Sequence, residues 1–249
     1  MKHFVCADLH GRRDVFEQVK EYLKQFPEWK CVILGDVCDR GPDGYEMMKE
    51  VLADERFVYL KGNHEDMFAK AGLSFFRVMD EENFTKTQMI NLGKEACQGE
   101  FISEEFSLSL NNGSKPTIMA WLNDGAPMSI IAKLNQLPVE CSYEHFDMCH
   151  AGRHMNEEDD EKCFWNRSHF IAPWFKGRVL IHGHTPISLM PRSVLRNEKH
   201  YTWTPLFYNE NEKINMDTGA VWTGRFFLFD MDTEEMIEFI GENPHPIDF

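Results

Sequence analysis

The sequence predicts an α/β sandwich rich in sheet, on three observations. Its opening segment alternates short apolar runs with amphipathic ones, in the order strand, helix, strand, helix, strand. Its middle, from about 65 to 137, carries mostly helical spacing interrupted by polar loops such as Asn111-Asn112-Gly113-Ser114. Its last part returns to short apolar runs of strand length.

Taken in order, residues 3–7 form an apolar strand candidate that stops at Asp8. Residues 12–26 place Val15, Phe16, Val19, Tyr22, Leu23 and Phe26 at three- and four-residue spacings, one face of a helix. Residues 30–34 are β-rich, 44–52 read as a helix and 57–60 as a strand. Strands alternating with helices of this length predict parallel pairing through crossover connections. Further strands are predicted at 146–149, 178–182, 213–216, 226–230 and 236–240, the last two flanking a turn at 231–235 as a hairpin. No repeat, low-complexity tract or linker divides the 249 residues, so the chain reads as one domain, 1–249.

Composition narrows the function. Hydrophobic residues make up 43% and charged residues 27%, as in globular domains. No signal peptide is legible at the start, and no apolar stretch approaches the roughly 20 residues that cross a bilayer, so no membrane partner is expected. Seven cysteines, odd in number and without C-x-x-C spacing, read as reduced thiols of a cytoplasmic protein. A formal charge of −15 disfavours a nucleic-acid partner, because such binding draws on Lys and Arg against phosphates. An anionic substrate would need a locally positive site, and bound metal ions are the obvious source.

Polar motifs follow five of the predicted strands: Asp8-Leu9-His10-Gly11, Gly35-Asp36-Val37-Cys38-Asp39-Arg40-Gly41, Lys61-Gly62-Asn63-His64-Glu65, Cys149-His150-Ala151-Gly152 and His182-Gly183-His184-Thr185-Pro186. Singly, each has a bland reading: Asp36 as a helix cap, Asn63 as a turn residue, a His after an apolar strand as a packed core residue. Asp8, Asp36 and Asn63 stand 28 and 27 residues apart, one strand–helix unit each, so all three fall at successive strand ends. Strand ends are where open α/β sheets bind ligands. Carboxylate, amide carbonyl and imidazole without thiolate suit Mn, Fe or Zn rather than a structural zinc–cysteine site. Holding two cations roughly 3.5–4 Å apart needs a shared carboxylate, for which Asp36 is the natural choice.

The set Asp-x-His, Gly-Asp-x-x-Asp-Arg-Gly, Gly-Asn-His-Glu, His-Ala and Gly-His-Thr-Pro resembles the calcineurin-like metallophosphoesterases, and within them the phosphoprotein phosphatase branch. Phe164-Trp165-Asn166-Arg167, Trp121-Leu122-Asn123-Asp124-Gly125 and Met216-Asp217-Thr218-Gly219-Ala220 resemble segments of its bacterial and lambda-phage Ser/Thr protein phosphatases. The resemblance implies two mixed β-sheets flanked by helices and two divalent metal ions, with Mn favoured over Fe or Zn. Asp8, His10 and Asp36 would hold the first ion; Asp36, Asn63, His150 and His184 the second. It implies in-line attack on phosphorus by a hydroxide bridging the ions. Arg40 and Arg167 would grip the phosphate with Asn63 beside them. His64, oriented by Asp39, would protonate the leaving oxygen. The implied substrate is a phosphoprotein or phosphopeptide; the alternative is a dinucleoside tetraphosphate or other nucleotide, and a non-catalytic phosphate-binding scaffold ranks last because all six ligands are present.

Three departures accompany the resemblance. His182 and His184 compete for one ligand position, which the Gly-His alignment gives to His184. Asp124 stands where a small residue is usual. Residues 187–214 form a long excursion bearing Arg192, Arg196, His200, Tyr201, Trp203, Phe207 and Tyr208, read as a rim of the site.

Overall fold

A computed structural model describes residues 1–155, 158–198 and 203–242. Two five-stranded mixed sheets pack face to face, with helices on the outer side of the first. The first sheet has β1 (Lys2–Cys6), β2 (Trp29–Ile33) and β3 (Phe57–Tyr59), joined in parallel by α1 (Arg13–Leu23) and α2 (Gly44–Ala53). Helices α3 (Asn63–Glu81), α4 (Lys86–Ala96), α5 (Glu104–Asn111), α6 (Lys115–Asn123) and α7 (Met128–Asn135) follow. The second sheet contains β4 (Glu140–Tyr143), β5 (Phe146–Cys149), β6 (Val179–His182), β7 (Leu206–Tyr208) and β8 (Lys213–Asn215) in the order β4-β5-β6-β8-β7. Short helices α8 (Lys162–Trp165), α9 (Arg192–Asn197) and α10 (Ala220–Thr223) punctuate its connections. The hairpin β9 (Arg225–Asp230) and β10 (Glu235–Ile240) then returns antiparallel to the first sheet, in the order β10-β9-β1-β2-β3.

The two-residue strand period explains why these strands read as unbroken apolar runs. Phe4, Cys6, Cys31, Ile33, Phe226 and Leu228 face the helices, while Val5, Val32, Phe227 and Phe229 meet Phe146, Met148, Ile181 and Ile214 of the other sheet. The outer face of the second sheet is covered instead by loops and short helices, in two small cores around Phe170 and Trp174.

Differences from the sequence reading lie at ends and in short elements. The helix expected over 12–26 stops at Leu23, where Gln25 and Phe26 turn back onto the carbonyls of Tyr22 and Leu23. Strands β4 and β7 were not expected; both are edges of the second sheet, β4 with no buried residue and β7 with Phe207 turned outward. The excursion is no bare loop: it contains a 3-10 turn (Ile187–Leu189), α9 and β7, with Met190, Val194, Leu206 and Tyr208 buried against Phe170. Phe207 is half-exposed against Phe229, and Arg192 and Arg196 face solvent. Residues 199–202 of the excursion, including His200 and Tyr201, lie outside the described residues.

Candidate metal centre

Three parallel strands from each sheet point their carboxyl ends at one crevice. From the first sheet, β1, β2 and β3 deliver Asp8, Asp36 and Asn63; from the second, β5, β6 and β8 deliver His150, His184 and Asp217. All six are at least nine-tenths buried. The loops are stitched across the crevice. His184 N–H reaches both carboxylate oxygens of Asp8 at 3.1 Å, and His150 Nδ1 donates to Leu34 O at 2.7 Å. Gly183 has no room for a side chain, since a Cβ there would run into Asp8 Oδ2.

Two groups of donor atoms converge within 4.8 Å: His10, Asp36 and His64, and Asp36, His150 and His184. Asp36 belongs to both. Its Oδ2 lies 3.5 Å from His10 Nε2 and its Oδ1 lies 3.4 Å from His150 Nε2. Asn63 Oδ1 stands 2.8 Å from His150 Nε2 and 2.9 Å from His184 Nδ1. Asp8 joins neither tight group, because its oxygens are turned to the His184 amide.

The donors fit divalent cations. His10 Nδ1 donates to Cys38 O at 3.0 Å, and His150 Nδ1 to Leu34 O. In the neutral ring each Nε2 therefore presents a lone pair to the crevice, the tautomer in which histidine binds metals. For His150 that lone pair meets another acceptor, Asn63 Oδ1, a contact that a cation shared between them relieves. Burial, and then neighbouring positive groups, push the His10 and His184 imidazoles well below their ordinary pKa. Among the carboxylates, burial followed by Asp217 and Asp36 raises Asp8. Burial opposes ionisation of Asp36, yet the imidazoles of His150, His64, His10 and His184 hold it below the usual carboxylate range. Three buried carboxyl groups, two of them pushed up by burial and by one another, crowd a nest that positive ions would balance.

Backbone strain marks the same spot. Asp8, His10, Asp36, Asp39, Arg40 and His184 all have positive φ, from 43 to 69°. Left-handed backbone costs non-glycine residues about 1–2 kcal/mol each and clusters at functional sites.

Beside the donors, His64 Nδ1 lies 2.8 Å from Asp39 Oδ2. Burial works against charge on His64, but Asp36 and Asp39 outweigh it and raise its pKa. Arg40 rests its fork on two imidazoles, Nη1 2.7 Å from His10 Nε2 and Nη2 3.1 Å from His64 Nε2, with Trp222 at 5.3 Å under the guanidinium. Arg167 is exposed, makes no hydrogen bond among the described residues, and bears electrostatically on His184 and Asp217. Of the competing histidines, His184 joins the donors, while His182 turns to Tyr208.

The helical layer reaches the site as well. Thr117 Oγ1 accepts Asp39 N–H and Gly113 O accepts Arg40 N–H, both at 2.9 Å. Asp124 accepts the Tyr45 hydroxyl at 2.7 Å, which ties α6 to α2.

Two residues with no role assigned from sequence stand out. Glu65, fully buried, accepts the N–H groups of Asp36, Val37 and Gly62 at 2.7–3.0 Å and the Tyr59 hydroxyl at 2.6 Å. Asp217 lies in the acidic nest, pushed up to about 6 by burial. Both lie within quoted motifs, which were the only signal for them.

A shared carboxylate between two donor groups, at the meeting of six strand ends, is the arrangement of a two-metal hydrolytic centre. The chain belongs to the calcineurin-like phosphoesterases: residues 1–218 match the model of that family. A Caenorhabditis elegans protein provisionally named a serine/threonine-protein phosphatase is 32% identical over 66 residues, 24% of this chain and 18% of that protein's length. Among solved structures, one provisionally described as a diadenosine tetraphosphatase superposes with a TM-score of 0.59 at 17% identity, covering 97% of this chain and 94% of the other. A metallophosphoesterase from Sphaerobacter thermophilus gives 0.53 at 15% identity over 97% and 88%. At these identities the structural likeness is one of fold. Among the described residues no helix is long and apolar enough to cross a membrane, and all seven cysteines are unpaired.

Proposed function

We propose that this phosphoesterase is a phosphomonoester hydrolase acting on phosphoserine and phosphothreonine in proteins, in the cytoplasm. The observation that carries the reading is Asp36 shared between the two donor groups. Asp8, His10 and Asp36 would hold one divalent cation and Asp36, Asn63, His150 and His184 the other, with Mn favoured over Fe or Zn. Bound there, two cations supply Lewis acidity and lower the pKa of the attacking water.

The chain's own residues do the rest. Arg167, exposed and without a hydrogen bond among the described residues, grips the phosphate oxygens, for which a planar fork suits better than a point charge. Arg40 joins it by turning from the Nε2 atoms of His10 and His64. Asp39 fixes the proton of His64 on Nδ1, and a protonated Nε2 then serves the leaving oxygen. A second reading, a dinucleoside tetraphosphatase, is favoured by Trp165, 43% exposed and edge-on to His184 at 5.9 Å, where a base could stack.

Turnover of a phosphopeptide, a dinucleoside tetraphosphate and a phosphodiester with Mn added tests the choice. The phosphopeptide should give the highest kcat/KM, and a higher value for the tetraphosphate would overturn the reading. His64→Asn should cut kcat by about 10²–10⁴ with a poor leaving group and by much less with an activated aryl phosphate. Equal losses would make His64 an electrostatic residue instead.

A further inference from the structure

The hydroxyl of Tyr208 stands at a junction that the proposed chemistry does not use. His182 Nδ1 lies 3.1 Å from Gly183 O and must donate to it, so in the neutral ring Nε2 is an acceptor. Tyr208 Oη lies 2.8 Å from that Nε2 and donates its proton there. The phenolic oxygen is then free to accept, and His169 Nε2 lies 3.4 Å away as donor. His169 Nδ1 has no partner among the described residues, so among them this bond is the ring's one polar anchor. All three side chains are at most 1% exposed.

The directions of these bonds agree along a path from His169 through Tyr208 and His182 to Gly183. One end lies two residues from Arg167 and the other lies next to His184. His169 also packs under the turn that follows His150: Gly152, at φ 83°, has no Cβ because one would run into His169 Nε2. Lys213 Nζ separately holds the carbonyls of His169 and Ala172. The backbone of this loop thus has its own clasp, and the orientation of the His169 ring depends on Tyr208.

We propose that Tyr208 is a positioning residue: its hydroxyl fixes the His169 ring, two residues from Arg167, against the His182 ring, two residues from His184, and so sets the phosphate-binding arginine against the metal-binding histidine. The inference rests on the roles given above to Arg167 and His184. It assigns to the excursion a function at its inner face, not at its rim.

The test is a double-mutant cycle of Tyr208→Phe and Arg167→Ala on the full chain loaded with Mn. It would read KM, kcat, affinity for inorganic phosphate by calorimetry, metal content and Tm. Tyr208→Phe should raise KM and weaken phosphate binding by about threefold to tenfold, the scale of one buried hydrogen bond, with kcat and metal content nearly unchanged. In the Arg167→Ala background the same substitution should change neither. His169→Phe, which deletes the other end of the bond, should reproduce the effect if Tyr208→Phe folds poorly. Unchanged phosphate affinity in Tyr208→Phe, or effects that add in the cycle, would overturn the proposal while leaving Arg167 in place. If Arg167→Ala alone leaves phosphate affinity intact, the assignment of Arg167 fails and the proposal with it. A lower Tm with unchanged KM makes Tyr208 merely structural.

Discussion

The acidic end of the centre and its histidine end are held in different ways. Beyond β1, β2 and β3 the loops are laced to one another through backbone. His10 N–H donates to Asp36 O and Gly11 N–H to Val37 O, both at 2.8 Å, and Glu65 gathers N–H groups from the Asp36 and Asn63 loops. Beyond β5, β6 and β8 the anchors are imidazole rings and one lysine: His150 on Leu34 O, His182 on Tyr208, Lys213 on the His169 carbonyl. Hydrogen bonds to a carboxylate are roughly twice as strong as neutral ones, so Glu65 can hold strained, left-handed loops in place. At the other end, the His150 bond to Leu34 O uses Nδ1 and leaves Nε2 facing the crevice. One end is built to fix strained loops through a carboxylate, the other to aim imidazole rings at the crevice.

The largest effect expected from breaking this division comes at the residue both ends share. Asp36→Asn should abolish hydrolysis of an aryl phosphate and lower metal content, since the charge that holds two cations together is gone. Full activity with both ions still bound, measured by elemental analysis, would end the two-metal assignment.

Next comes the hub of the acidic end. Glu65→Gln sets an amide NH₂ against backbone N–H groups in a fully buried site. Stability should fall by about 2–4 kcal/mol in denaturant unfolding. Metal affinity should fall about 10–100-fold, as when the partners of metal ligands are lost. A variant with wild-type affinity would show that the loops hold their shape without the carboxylate.

The smallest effect sharpens the contrast at the histidine end. Burial pushes the Lys213 ammonium down to about 8. Between about pH 8 and 10.4 the unfolded chain therefore binds more protons than the folded one, and stability rises with pH across that window. Wild type should gain a few degrees in Tm relative to Lys213→Met over this range. Parallel Tm curves for the two proteins would mean that the lysine is charged at no cost.

The donors were legible in the sequence because each follows its strand within a few residues: Asp8 after β1, Asp36 after β2, His150 directly after β5. Long amphipathic helices were legible for a similar reason, as Val15, Phe16, Val19 and Leu23 show on α1. Strands β4 and β7, the two edges of the second sheet, were not: β4 is half polar and nowhere buried, and β7 reads as part of the aromatic excursion. Tyr208 read as an aromatic of a rim, since nothing local distinguishes an inward phenol from an outward one.

Spacing and residue chemistry by themselves determined the succession of strands and helices, the strand-end placement of Asp8, Asp36, Asn63, His150 and His184, and a donor set suited to divalent cations. These follow from a strand period of two and from what carboxylate and imidazole can bind. Only the tertiary structure decided that Asp36 serves both donor groups, that Glu65 holds the loops, that Asp217 enters the acidic nest and that His182 faces Tyr208. Such facts rest on contacts well beyond a local window, 29 positions for Asp36 and Glu65, 26 for His182 and Tyr208 and 87 for Asn63 and His150. Local pattern has no reach over that distance: strand order within each sheet brings Asp36 to Glu65 and His182 to Tyr208, and packing the two sheets together brings Asn63 to His150 and Asp8 to His184.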